Sequence, residues 1–418
     1  QFIKVFVNYF SFYYNNIDIT KSQHKNKIFH MKKILMFLSL LAFISCSTKV
    51  TDDITDNGGD NTGDSSGVNE DVIEMNERLG VTHTGGKYCL TTEPFIVEGA
   101  RKINSLGIKT VKFFLSKDMS KQFPYNSDWS ATKDKTWAEI VSSQYFEEIF
   151  NMDFKTIVFN ITDHNQQLSK PDADFSKSSK EIGDLARYLL KKFKDRDITF
   201  IIKNWEGDWI LRANDKEDSA WANVSTDKKT LRCENFIKWI NARQEAIDAA
   251  MNENTDSKCQ VYQALEANKV ISTMDNGLPS VANSVLPYVK VDLVSWSSYD
   301  GLASAAIMKT GIDYLSKMHL KKGRFPSNQT VMIGEIGFQE QVVTFNVDER
   351  MKTIYKACLK KDVPYIIYWE VYCNEPKNSV EKDVFYPMKT TEQMKGLWLY
   401  RPDGTESIAC KVIKDFLK

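Results

Sequence analysis

The chain has 418 residues, 42% of them apolar and 26% charged, which is ordinary for a globular protein with a sizeable core. Its 55 Lys and Arg balance 55 Asp and Glu, so it lacks the basic excess of a nucleic-acid binder. Five His, and seven scattered Cys with no C-x-x-C pair, argue against a zinc ribbon, a redox motif or a catalytic metal, and nothing calls for a cofactor.

Residues 1–30 precede Met31 and are expected to be a non-native upstream extension with no part in the fold. From Met31 a basic Lys32-Lys33 is followed by the apolar run Ile34–Ile44, then Ser45 and Cys46. That run is too short to span a bilayer and reads as an export signal over 31–46. Leu41-Ala42 and Ser45-Cys46 resemble the lipobox of bacterial lipoproteins, which implies cleavage before Cys46 and lipidation of its thiol. Residues 47–76 form an expected flexible linker: Thr51–Glu74 holds eight acids and no Lys or Arg, and cannot bury enough apolar surface to fold. An acidic stretch soon after such a Cys resembles surface-exported lipoproteins of Bacteroidota-type bacteria. The implied location is the cell surface or periplasm, anchored to the outer membrane by lipid.

Over 77–418 short apolar runs alternate with longer amphipathic ones. The predicted strands are Leu79–Thr84, Ile108–Leu115, Lys155–Ile161, Ile198–Lys203, Cys259–Leu265, Asp292–Tyr299, Thr330–Phe338 and Tyr365–Tyr372. They are near-continuously apolar, as parallel strands covered on both faces are. The predicted helices are Glu93–Leu106, Trp137–Phe150, Ser179–Phe193, Leu231–Met251, Ser280–Val289, Ser304–His319, Val347–Lys361 and Glu406–Leu417. Eight β-then-α units predict an α/β fold, a (β/α)8 TIM barrel. A doubly wound sheet is the alternative, but Thr84-Gly85-Gly86-Lys87 lacks the spacing of a phosphate loop.

In a barrel the chemistry sits where strands end. Period two places Ile198, Phe200, Ile202, Asn204 and Glu206 on one face of the fourth strand, and Val331, Ile333 and Glu335 on one face of the seventh. If these apolar residues fill the barrel, Glu206 and Glu335 meet at its mouth. Paired carboxyls suit a sugar acetal, which needs one group to protonate the leaving oxygen and another to attack the anomeric carbon.

Here the chain resembles the retaining (β/α)8 glycoside hydrolase clan, glycoside hydrolase clan A. Ile333-Gly334-Glu335-Ile336-Gly337 looks like its nucleophile strand and Asn204-Trp205-Glu206-Gly207 like its acid/base strand. The clan usually has Asn directly before Glu, and here Trp205 intervenes. The resemblance implies that Glu206 is the general acid/base and Glu335 the nucleophile. It makes Asn204 a contact to the sugar 2-hydroxyl, Tyr299 a donor to the nucleophile, and Trp369 the floor of the −1 subsite. His83 and His164 stand where sugar hydroxyls would be reached, and Trp209 and Trp296 lie near strand ends as candidate stacking platforms. Glu266 and Glu370 are competing carboxylates, and Asp163 and Asp208 loop-capping or sugar-binding groups.

The expected partner is a poly- or oligosaccharide, hydrolysed by double displacement in a monomer. A non-catalytic glycan-binding lipoprotein on the same barrel is the alternative, and a barrel enzyme of other chemistry, such as a lyase, is a third. With Cys46 lipidated, six Cys remain whose pairing is not legible.

Overall fold

The computed structural model describes residues 74–161, 165–378 and 387–418. Cys46, the signal and most of the linker lie outside these residues, as do Asp163 and His164. Eight parallel strands close into a barrel: β1 (Leu79–His83), β2 (Thr110–Leu115), β3 (Thr156–Ile161), β4 (Thr199–Lys203), β5 (Gln260–Ala267), β6 (Leu293–Ser297), β7 (Val331–Ile336) and β8 (Ile366–Tyr368). β8 returns to pair with β1, Leu79 against Ile366, and completes the (β/α)8 TIM barrel expected from the alternation.

Each strand feeds a helix. These are α1 (Phe95–Ser105), α2 (Gln144–Phe150), α3 (Ser176–Lys192), α4 (Gly207–Arg212), α5 (Thr226–Asn252), α6 (Val270–Asn276), α7 (Ala305–Met318), α8 (Val347–Leu359) and α9 (Ile408–Phe416). Two helices differ from expectation. Trp137–Phe150 is broken at Ser142-Ser143 into two pieces, because Thr136 caps the first through a reciprocal bond with Glu139 and Ser143 opens the second. Ser280–Val289 is a π turn over Val281–Val285 followed by a 3₁₀ turn over Leu286–Tyr288, and the helix after β5 is instead α6.

Two apolar clusters fill the structure. The larger lies between sheet and helices, where Phe200 of β4 stacks on Phe159 and meets Phe150 and Phe193 edge-on or tilted. The smaller is the lumen: Val158, Ile201, Tyr262, Ala264, Leu293, Met332, Tyr365 and Ile367, with Phe325 packed against Tyr262 and Tyr365.

This division corrects the facing of two strands. On β4, Phe200 and Ile202 point to the helices, and Ile201 and Lys203 point inward. On β7, Val331 and Ile333 also point outward, and Met332 fills the lumen. Glu335 still faces inward because β7 bulges: its register with β6 slips between Ile333 and Glu335, and with β8 between Ile333 and Ile336. The slip occurs at Gly334, whose missing side chain leaves room for Ser295 Oγ and the Glu266 carboxylate.

Gly334→Ala should therefore destabilise the fold by about 1–3 kcal/mol, since the added methyl overlaps Ser295 Oγ and must displace it from Glu266. The check is a lower urea midpoint at unchanged slope.

Candidate active site

Above the apolar lumen sits a layer of charge. Lys112 of β2 reaches across the barrel to Glu335 Oε1 at 2.9 Å and to the Gly334 carbonyl at 2.6 Å. Lys203 of β4 pairs with Glu266 Oε2 of β5. Ser295 Oγ donates to Glu266 Oε2 at 2.8 Å, and Ser297 Oγ to Glu335 Oε2 at 3.1 Å. Both lysines and Glu266 are fully buried, and Glu335 is 3% exposed. Burial pulls the Lys112 ammonium down to about 8, against the opposing pull of Glu335.

A cleft of about 920 Å³ opens over this layer at the C-terminal ends of the strands. Glu206 and Glu335 both line it, brought there from β4 and β7 as the sequence predicts. Glu206 arrives in the turn after Lys203, as the residue that precedes α4. It is half-buried, and among the described residues no cation forms an ion pair with it. Enclosure, then the charges of Glu335 and Glu266, raise its carboxyl to about 8, with Lys203 and Lys112 pulling weakly the other way. One carboxyl of the cleft thus holds a proton at neutral pH while the other is held in an ion pair.

Tyr299 and Trp369 also line the cleft, as does Trp205. Tyr299 follows β6 in a 3₁₀ turn and has 39% of its surface open. Its hydroxyl is nonetheless enclosed, and that, with the Glu335 and Glu206 charges, raises its pKa well above the ordinary phenol value. Trp369 meets Phe114 edge-on at 5.4 Å, and Lys112 Nζ lies 5.4 Å from its ring centre. The Trp369–Glu370 peptide is cis.

The other expected contacts are committed elsewhere. Asn204 is buried and joins β4 to β5, accepting from the Glu266 N–H at 3.1 Å and donating to the Trp205 carbonyl at 3.0 Å. His83 points outward from β1, bonded to the Phe95 carbonyl at 2.7 Å among Phe95, Phe113, Phe123 and Tyr372. Burial lowers its pKa to about 4, so it is a neutral core residue. Trp296 is fully buried against Gly301 and Gly311, its N–H on Asp300. Trp209 lies on α4 beneath Lys269, outside the cleft lining.

Of the competing acids, Glu266 is enclosed by its partners. Glu370 is fully buried, and burial raises its carboxyl well above the usual range, with the Asn374 N–H on one oxygen. Asp208 accepts from the backbone of Asn268, Lys269 and Val281 and is a structural cap. The sequence reading missed Lys112, Lys203 and the two serines. Their signal was a lysine inside an otherwise apolar strand, which only a buried partner makes tolerable. The six described cysteines are unpaired.

No protein-family model matches the chain, and no curated protein matches it. Among solved structures it is similar to a Bacteroidetes-affiliated GH5 cellulase linked with a polysaccharide utilization locus, at 13% identity over 84% of this chain and 94% of that one, with a TM-score of 0.49. It is also similar to the catalytic domain of a GH26 endo-β-1,4-mannanase of Bacillus sp. JAMB-750, at 13% identity over 81% and 85%, TM-score 0.46. A modular GH26 endo-β-1,4-mannanase of Cellulomonas fimi matches at 12% identity over 74% and 69%, TM-score 0.44. Likeness at this level assigns no chemistry.

Lys112→Met should cost about 3–5 kcal/mol at neutral pH, because it strands Glu335 as a buried, unpaired anion. Urea unfolding of variant and wild type at neutral pH checks the loss.

Proposed function

We propose that this cleft hydrolyses a glycosidic bond of a poly- or oligosaccharide with retention of configuration. The observation that carries the reading is the division of labour between two carboxyls on one cleft. Enclosure and neighbouring charge raise the Glu206 carboxyl to about 8, and Glu335 accepts from Lys112 Nζ at 2.9 Å. Glu206 would give its proton to the leaving oxygen while Glu335 Oε2 attacks the anomeric carbon, forming a glycosyl ester. Glu206, now a carboxylate, would then take a proton from water as it attacks that ester, which frees Glu335 and restores the acid. Trp369, Trp205 and Phe114 offer flat rings for sugar faces.

A glycan-binding role without turnover has one observation in its favour. Both Glu335 oxygens already have partners, Lys112 on one and Ser297 on the other, which lowers the nucleophilicity of the carboxylate.

A panel of polysaccharides read for new reducing ends separates the two. Glu335→Gln should reduce release to background while binding of the same sugar persists, and release unchanged in that variant would sink the enzyme reading. Glu206→Gln should lose about 10²–10⁴-fold on poor leaving groups. Turnover requires protonated Glu206, so the rate should fall as pH rises through about 8. A rate still rising at pH 9 would remove Glu206 as the acid.

We also place the barrel outside the cytoplasm, tethered through Cys46, the sequence between them serving as spacer. Metabolic labelling with a fatty-acid analogue should tag the wild type in membranes. Cys46→Ala should lose the tag and leave the membrane fraction, and an untagged wild type would refute the anchor.

A further inference from the structure

The turn that carries Glu206 is fastened to the end of β5. Glu266 Oε1 accepts the Glu206 backbone N–H at 3.0 Å, and its other oxygen takes Lys203 and Ser295. Asn204, two residues before Glu206, bridges the Glu266 backbone N–H. Gly207, directly after it, lies against the Glu266 carbonyl so closely that any side chain would collide. Asp208 next accepts the N–H groups of Asn268 and Lys269 at 3.0 and 3.1 Å. Asn204, Glu206, Gly207 and Asp208 are thus all set against the 266–269 segment. Glu266 itself is fully buried and absent from the cleft lining, so it touches no substrate.

We propose that Glu266 is a positioning residue, whose buried carboxylate holds the Glu206 peptide and thereby aims the Glu206 side chain at the cleft opposite Glu335. The role rests on the reading of Glu206 as the acid. A charge suits this task better than a neutral acceptor. The bond from an N–H to a carboxylate is shorter and about twice as strong as a neutral one, and Lys203 pairs with this carboxylate in the closed lumen. The charged groups around Glu206 are Glu335 from β7, Glu266 from β5, Lys203 from β4 and Lys112 from β2. Removing Glu266 and Lys203 together leaves that sum unchanged.

Two double variants, each removing both charges, isolate the bond. Glu266→Leu with Lys203→Met deletes the acceptor. Glu266→Gln with Lys203→Met keeps a side-chain oxygen for the Glu206 N–H. Protein carrying glutamate labelled with ¹³C at the carboxyl is titrated by NMR, with the Glu206 signal assigned by its loss in Glu206→Gln. In the leucine variant the released turn should hydrate, and the Glu206 midpoint should fall by about one unit or more toward the ordinary carboxyl value. The glutamine variant should restore the wild-type midpoint to within about half a unit. On glycosides, the leucine variant should lose about tenfold or more in kcat with poor leaving groups, but little with dinitrophenyl glycosides that need no acid, at similar KM. Equal Glu206 midpoints in the two double variants would overturn the role. Titration needs no substrate, so a wild type without turnover on any sugar would sink the glycosidase reading and leave this comparison to decide on Glu266.

Discussion

The site depends on charge balance inside a closed lumen. Two lysines and two glutamates occupy one buried layer, Lys112 with Glu335 and Lys203 with Glu266. Any one of them alone would cost several kcal/mol to desolvate, and only their pairing makes the layer tolerable. Glu206 enters from above as a third carboxyl, and among the described residues no lysine forms an ion pair with it. It is therefore the one that retains a proton, and the chemical difference between Glu206 and Glu335 comes from their neighbours rather than from their residue type.

Most of the architecture was legible in the sequence. All eight strands were found to within a few residues, because parallel strands covered on both faces read as unbroken apolar runs. That same property hides their phase. A run such as Phe200-Ile201-Ile202 carries no polar residue to say which side is inward, and β4 was assigned the wrong face. Glu206 reaches the cleft because the chain turns after Lys203, and Glu335 because β7 slips by a residue at Gly334. Period two identified both residues, yet neither arrives by period two.

One error of phase accounts for much of the misplaced periphery. With Lys112 and Lys203 inward, Ser295 and Ser297 are inward as well, and Trp296 between them must pack against helices. His83 likewise shares its side with Val81 in the outer core rather than with the lumen. The lysines would have settled the phase from sequence. A lysine in the middle of a covered strand can face only a buried anion, and anions stand at the inward ends of β5 and β7. Trp369 and Tyr299 line the cleft because they lie beyond their strands, where the mouth collects side chains whatever their phase.

Five glutamates surround the mouth, and solvent and partners sort them. Glu266 is saturated by a lysine, a serine and a peptide N–H, so no oxygen remains for chemistry. Glu370 is enclosed, with burial raising its carboxyl and the Asn374 N–H on one oxygen, so it offers no access. Glu375 lines the cleft but is paired with Lys395 at 2.8 Å, at the rim rather than over the lumen. That leaves Glu206 and Glu335, the two that meet the cleft directly above the charged layer. Lys112 restrains the second of them, because it occupies one of the two oxygens. On the proposed reading attack would come from Oε2, whose partner among the described residues is the Ser297 hydroxyl, a neutral donor that can turn toward another acceptor.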